Sequence, residues 1–300
     1  MNVTSFLRKK IEEMGGDPNR ETLTVYPAKD GKNYYFADVG GCWRLYNFVE
    51  DTYSINEIKS SDDFKSSAHA FGTFQKLLSD YPIDTLHETI PNFHNTPSRF
   101  NDLKEAVEKN LSGRKDQALP EIEFAFAREN ICSRITDLIA AGEIPLKVTH
   151  NDTKLNNVLF DKKTNKGLCV VDLDTIMPGS ALYDFGDSIR YGANTGSEDE
   201  TDLSKITINL EYFKAYAEGF LETAGDSLNQ KEIELLPFSA ILLTFECGMR
   251  FLGDFINGDV YFKVDYPEHN LVRARTLFKL VEEMEKNYDS MCKIIEEINK

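Results

Sequence analysis

Apolar residues recur at helical spacing along most of the chain, interrupted by short segments that read as strands. Val3, Phe6, Leu7, Ile11 and Met14 form a stripe that predicts a helix over 1–14, ended by Gly15-Gly16. Strands are predicted at 22–27, 34–38 and 42–49, with Asp30-Gly31 and Gly40-Gly41 as the turns between them. A long helix should open at Asp62 or Asp63 and run to Leu78 on a stripe of Phe64, Ala68, Phe71, Gln75 and Leu78. Residues 90–97 read as a loop. Further helices are expected over 99–110, 122–141, 201–228, 233–255 and 271–298, the last with Leu277, Leu280, Val281, Met284, Tyr288, Met291 and Ile295 facing a core. The run Gly167-Leu-Cys-Val-Val171 predicts a strand ending at Asp172.

The chemistry concentrates between Val148 and Arg190. Asp152 and Asn157 stand five apart within His150-Asn-Asp-Thr-Lys-Leu-Asn-Asn157, the spacing of a catalytic loop in which Asp takes a hydroxyl proton and Asn holds a metal. Lys154 is placed to neutralise a moving phosphoryl group. On a strand, alternate residues share a face, so Asp172 and Asp174 should lie together, as suits Mg²⁺. Each element alone is weak, whereas the joint pattern points to phosphoryl transfer. His150 is read as structural, holding the loop by packing and hydrogen bonding. His94, in the 90–97 loop, is likewise read as structural. Asn151 stands where a protein kinase has Arg, and Tyr183-Asp-Phe-Gly-Asp187 begins eleven residues after Asp172, which leaves no room for a peptide-docking segment. A small-molecule acceptor fits better.

Composition narrows the partners. The 300 residues carry a net charge of −16, which argues against nucleic acid or an anionic membrane as partner. Apolar content of 41% suffices for a real core. The five scattered cysteines follow no metal-ligand spacing and suit a reducing compartment. No signal-peptide pattern opens the chain, and no apolar run of transmembrane length is apparent, so a cytoplasmic protein is expected.

The stretches His150–Phe160, Val171–Gly179, Tyr183–Arg190 and Asn257–Lys263 resemble the aminoglycoside phosphotransferase and choline kinase superfamily, and more closely its N-acetylhexosamine 1-kinases. The resemblance runs the length of the chain. It implies a protein-kinase-like, two-lobed α/β (α+β) fold, with 1–52 as a partial first lobe and 53–300 as a mainly helical lobe for catalysis and substrate. It implies ATP and Mg²⁺ as cofactors and an amino sugar phosphorylated at its anomeric hydroxyl. Asp152 and Lys154 would be catalytic, and Asn157, Asp172 and Asp174 would hold metal. The backbone of Asn47, Phe48 and Val49 would bind adenine, and Asp152, Arg250 and Tyr261 would contact the sugar. Asp184 would anchor the loop. The family also needs a glycine-rich hairpin over the phosphates and a strand lysine, and the sequence shows neither. The expectation is therefore a truncated first lobe, weak turnover, and uncovered apolar surface on helix 1–14 and strands 22–49. The alternatives are a choline, aminoglycoside or other small-molecule kinase, and a non-catalytic sugar- or nucleotide-binding remnant. A choline site would need an aromatic cage.

Overall fold

The computed structural model describes residues 2–300. Helix α1 (Asn2–Glu13) buries Val3, Leu7 and Ile11 in one cluster with Phe71, Phe74, Leu78 and Tyr81, so its apolar stripe is covered rather than left open. Two ribbons follow. β1 (Val25–Tyr26) pairs antiparallel with β4 (Leu45–Tyr46), and β2 (Tyr35–Phe36) with β3 (Cys42–Trp43). The strand expected over 42–49 is thus broken at Arg44 and stops at Tyr46. With no sheet packed on them, Tyr35, Phe36, Trp43 and Leu45 stay exposed, as does Phe48 beyond the ribbon.

Next come β5 (Thr52–Tyr53) and α2 (Ser61–Leu77). Ser60, not Asp62 or Asp63, caps α2 by accepting from the Asp63 N–H. The two carboxylates instead lie in the first turn, where the helix dipole favours them. The segment expected as one helix over 122–141 is divided. After α3 (Thr96–Lys109) come α4 (Leu119–Phe126) and α5 (Arg134–Ala140), separated by a 3-10 turn at 129–131. Arg128 sits at the break with its guanidinium over the Phe124 ring and in a double hydrogen bond to Glu285.

The centre of the chain is a set of short strands. β6 (Lys147–Thr149) pairs with β9 (Met177–Gly179). β7 (Val158–Asp161) lies between β5 and β8 (Gly167–Val170) in an antiparallel sheet. The loops at 150–157 and 171–176 emerge from the two sheets side by side.

The remainder is helical: α6 (Ala181–Gly192), α7 (Leu210–Ala224), α8 (Gln230–Asn257), α9 (His269–Lys286) and α10 (Tyr288–Ile298). The 201–228 helix is therefore shorter than expected, and the final one is interrupted at Asn287. α8 is long and apolar enough to cross a membrane by length and composition, yet it is buried against the other helices as the central core element. Its N-terminus has a reciprocal cap between Asn229 and Glu232. Gly258 ends it in the left-handed conformation, φ 98°. α6 lies close on α8 at Gly186, where a Cβ would run into the Ser239 carbonyl.

A polar clamp ties the first fifty residues to the central sheet. Asp161 accepts from Arg20 (2.8 Å) and from the N–H groups of Lys163 and Thr164. Arg20, followed by the Thr164 N–H, draws the carboxyl from its ordinary 3.8 down to about 2. A depressed acid contributes stability above its unfolded value and loses it as pH falls toward the folded one. Asp161→Asn should therefore lower the melting temperature at neutral pH. The gap from the parent should close as the pH is taken from about 4 to about 2. A pH-independent gap in thermal scans would show that the carboxylate's charge plays no part.

Candidate active site

Between α6 and the 150–157 loop lies a carboxylate at the bottom of the site. Asp184, on the first turn of α6, is buried and accepts from the N–H groups of His150 (2.9 Å) and Asn151 (2.7 Å) and from the Gln75 side chain. Burial raises its pKa, against the pull of the groups that donate to it. One helical turn on, Asp187 accepts from the Thr153 N–H (3.0 Å) and from Arg190 through two nitrogens, at 2.9 and 2.8 Å. Burial opposes its charge, but Arg190, His94 and Lys154 hold its pKa below the ordinary value. Thr153 also donates its hydroxyl to the Asp184 carbonyl (2.6 Å). The loop is thus fastened to α6 through three residues, His150, Asn151 and Thr153. Asn151 takes a positive φ of 65° within it.

His150 is fully buried and sits edge-on to Phe71 and Phe74, with ring centroids 5.5 and 5.9 Å away. Its Nε2 bonds the Val171 carbonyl at 2.9 Å, and its Nδ1 accepts from the Asp152 N–H at 3.3 Å. It joins the two loops and makes no opening to solvent.

Asp152 then points outward. Lys154 Nζ lies 3.0 Å from Asp152 Oδ1, and Asn157 Nδ2 donates to the Asp152 carbonyl (2.8 Å) and to Oδ2 (3.3 Å). Partial burial works against the Lys154 charge, but Asp152 and Asp187 keep its pKa above the ordinary value. The Val171 N–H donates to the Asn157 carbonyl (2.9 Å), which sets Asp172 beside Asn157.

The expected sharing of a strand face by Asp172 and Asp174 is not observed. β8 ends at Val170, Asp172 is left-handed at φ 57°, and Asp174 lies in a 3-10 turn. The left-handed residue turns the chain, so alternation no longer applies. Asp174 is held by Arg44 through both oxygens at 2.6 Å. The Asp172 carboxylate is exposed and has no hydrogen-bond partner among the described residues.

The expected adenine-binding stretch is partly engaged. The Asn47 N–H donates to the Thr24 carbonyl (3.1 Å), and its side chain bonds Thr24 and Asn19. Val49 is buried with Leu23 and Cys169, beside half-buried Tyr46, Leu159 and Val171, while Phe48 is 87% exposed.

Asp152 and Lys154 open into a cavity of about 430 Å³ that Arg250 and Tyr261 also line, so the structure brings these sequence-flagged residues together. Arg250 has no hydrogen bond or ion pair among the described residues. Its guanidinium lies 5.2, 5.7 and 5.4 Å from the Phe93, Tyr261 and Phe262 ring centres. The segment bearing Tyr261 is held by buried Asp254 on α8, which accepts from the N–H groups of Val260, Tyr261 and Phe262 at 2.9–3.0 Å.

Residues 34–224 match the model of the phosphotransferase enzyme family, APH. The chain belongs to that family. Solved structures of similar fold include a microcompartment-associated aminopropanol kinase, 15% identical, covering 97% of this chain and 82% of that one at a TM-score of 0.53. A spectinomycin phosphotransferase in complex with ADP and spectinomycin is 12% identical, with coverage of 96% and 82% and a TM-score of 0.56. A choline kinase from Cryptosporidium parvum Iowa II is 13% identical, with coverage of 97% and 79% and a TM-score of 0.52. At such identities the likeness is one of fold, and it establishes the protein-kinase-like architecture of this phosphotransferase.

The sequence reading of this phosphotransferase missed Arg44, Asp254 and the Asp187–Arg190 pair. The last was accessible, since Asp and Arg at i and i+3 on a helix are neighbours. Asp254 carried only the hint of the Asn257-Gly-Asp turn after it, and Arg44 carried none.

The anchor is directly testable. In Asp184→Asn the amide would turn a donor toward backbone N–H groups, leaving at least one unpaired. Such a loss costs about 1–3 kcal/mol. Urea unfolding should show a drop of this order, and a variant as stable as the parent would remove Asp184 as the anchor.

Proposed function

We propose that this phosphotransferase is an ATP-dependent kinase that phosphorylates a hydroxyl of a small, oxygen-rich acceptor, an N-acetylhexosamine, at its anomeric position. The observation that carries the reading is the cavity shared by Asp152, Arg250 and Tyr261. Asp152 lines this cavity and would accept the hydroxyl proton. Lys154, held beside it, would face the developing charge on the transferred group. The fork of donors on Arg250 suits sugar oxygens.

A cationic acceptor of the choline or aminoglycoside kind is less well served. The aromatic rings that could cage a quaternary ammonium already surround the guanidinium of Arg250. Lys263 and Arg273 line the same cavity, as do Asp187, Glu198 and Glu246, so its charge is mixed.

The donor set fits Mg²⁺. Asn157 gives its side-chain nitrogen to Asp152, which leaves its amide oxygen available, and the Asp172 carboxylate is unengaged. Those two would hold the ion, which when bound supplies charge compensation for the phosphates. Asp174, committed to Arg44, would serve only if that pair opened. Half-buried Tyr46, Leu159 and Val171 offer an apolar floor for adenine, with Phe48 and Val49 beside it. None of the five strands between Val25 and Tyr53 carries a lysine, so slow turnover is the expectation for these 300 residues. On this reading 1–52 is a partial first lobe and 53–300 the lobe that carries catalysis and substrate.

Asp152→Asn should cut turnover by about 10²–10⁴, the usual loss for a general base, with nucleotide affinity little changed. Assays with ATP and N-acetylglucosamine or N-acetylgalactosamine, read by ³¹P NMR for the position phosphorylated, test both parts. Phosphorylation of choline or an aminoglycoside alone would overturn the sugar reading and leave the kinase. Arg250→Ala should raise KM for the sugar well above any change in KM for ATP. An equal rise in both would take Arg250 out of the acceptor site.

A further inference from the structure

Two buried histidines flank the loop that carries Asp152, and their partners impose opposite protonation states. For His150, Nδ1 accepts an N–H and Nε2 meets a carbonyl, so the ring has one proton, on Nε2. For His94 both nitrogens meet oxygens that only accept. Nδ1 is 2.7 Å from Glu246 Oε1, and Nε2 is 3.3 Å from the Asn151 carbonyl. The other oxygen of Glu246 accepts the Thr96 hydroxyl at 2.6 Å, as suits an ionised carboxylate. Between that carbonyl and an ionised Glu246 the ring is satisfied with both nitrogens protonated, and the one alternative is a proton carried by Glu246 toward a neutral Nδ1.

We propose that His94 is an imidazolium that positions the catalytic aspartate. It links Glu246 in the wall of the acceptor cavity to the carbonyl of Asn151, the residue next to Asp152. This rests on the kinase reading only for its effect on turnover. The charge itself follows from hydrogen bonding. Tyr183 and Asp187 on α6, Glu246 and Arg250 on α8, and Asp152 on the loop are the titratable or charged groups around it. Asp152 is paired with Lys154 and Asp187 with Arg190, which leaves Glu246 as the carboxylate that faces the ring directly. His94 also stands between the 430 Å³ cavity and a neighbouring one of about 140 Å³, both of which it lines with Asn151. Ile90 and Phe93 line both cavities as well. Losing the imidazolium would release the carbonyl behind Asp152 and leave Glu246 as a buried carboxylate without its counter-ion, so loop and wall would loosen together.

The test uses the full chain labelled with ¹⁵N-histidine, with the His94 signals assigned by their loss in His94→Gln. At pH 7, His94 should show two protonated nitrogens while His150 shows the neutral Nε2–H form, an internal control in the same spectrum. A neutral His94 at pH 7 would overturn the proposal, whether or not the protein phosphorylates anything. In turnover assays, His94→Gln should lower kcat by ten- to a hundredfold, on the order expected for a misplaced catalytic group, with KM for ATP unchanged. A parent-like kcat in a folded His94→Gln variant would refute the positioning role. A parent that is inactive on every acceptor would count against the kinase reading and leave the NMR result to decide the charge.

Discussion

The burial of one carboxylate constrains the rest of the site. Asp184 lies out of water on the first turn of α6, and its charge is tolerable there because two consecutive main-chain N–H groups and an amide point at it. Those N–H groups belong to His150 and Asn151, so satisfying the carboxylate fixes the start of the loop. A buried acceptor without donors would cost several kcal/mol, on the order of the total stability of a small domain when two or three such defects combine. Asn151, which carries the second of those N–H groups, then turns the chain with a positive φ of 65°. Asp152, next in the chain, is then turned away from the anchor and into the cavity. α6 itself is set against α8 by the close approach at Gly186, and α8 carries Glu246, Arg250 and Asp254. The core packing of the helices therefore fixes where the cavity walls stand relative to Asp152.

The second theme is backbone held by side-chain carboxylates. Asp187 takes the Thr153 N–H, and Asp254 takes three consecutive N–H groups of the segment bearing Tyr261. Segments without regular secondary structure have main-chain donors to satisfy, and buried acidic side chains satisfy them here. Much of the polar character of the site is thus structural, and Asp172 and Arg250 are left without a hydrogen-bond or ion-pair partner among the described residues, Arg250 resting only against aromatic rings. This separation of engaged from unengaged groups is the strongest guide to chemistry.

Much of this was legible in the sequence. The loop motif named Asp152, Lys154 and Asn157, and the family likeness brought Arg250 and Tyr261 to it from a hundred residues away. Periodicity located α1, α2 and α8 because each buries a continuous stripe. It failed at Asn287, where α9 ends: the Asn287 side chain bonds the Glu283 carbonyl, yet Met284 and Met291 on either side face the same core. A break that leaves the stripe in phase is invisible to pattern. It failed at Asp172 for another reason, because alternation assumes extended backbone and one left-handed residue cancels it. The Arg44–Asp174 pair spans 130 residues and no local rule could have found it.

The central claim is that Asp184 and its neighbours hold Asp152 against an acceptor in the cavity with Arg250. The most direct measurement is a crystal structure of the protein soaked with N-acetylglucosamine or N-acetylgalactosamine. The account predicts the sugar in this cavity, its anomeric hydroxyl about 2.6–3.2 Å from an Asp152 oxygen, and ring oxygens or hydroxyls on Arg250. A sugar bound elsewhere, or bound in the cavity with its anomeric carbon turned away from Asp152, would contradict it.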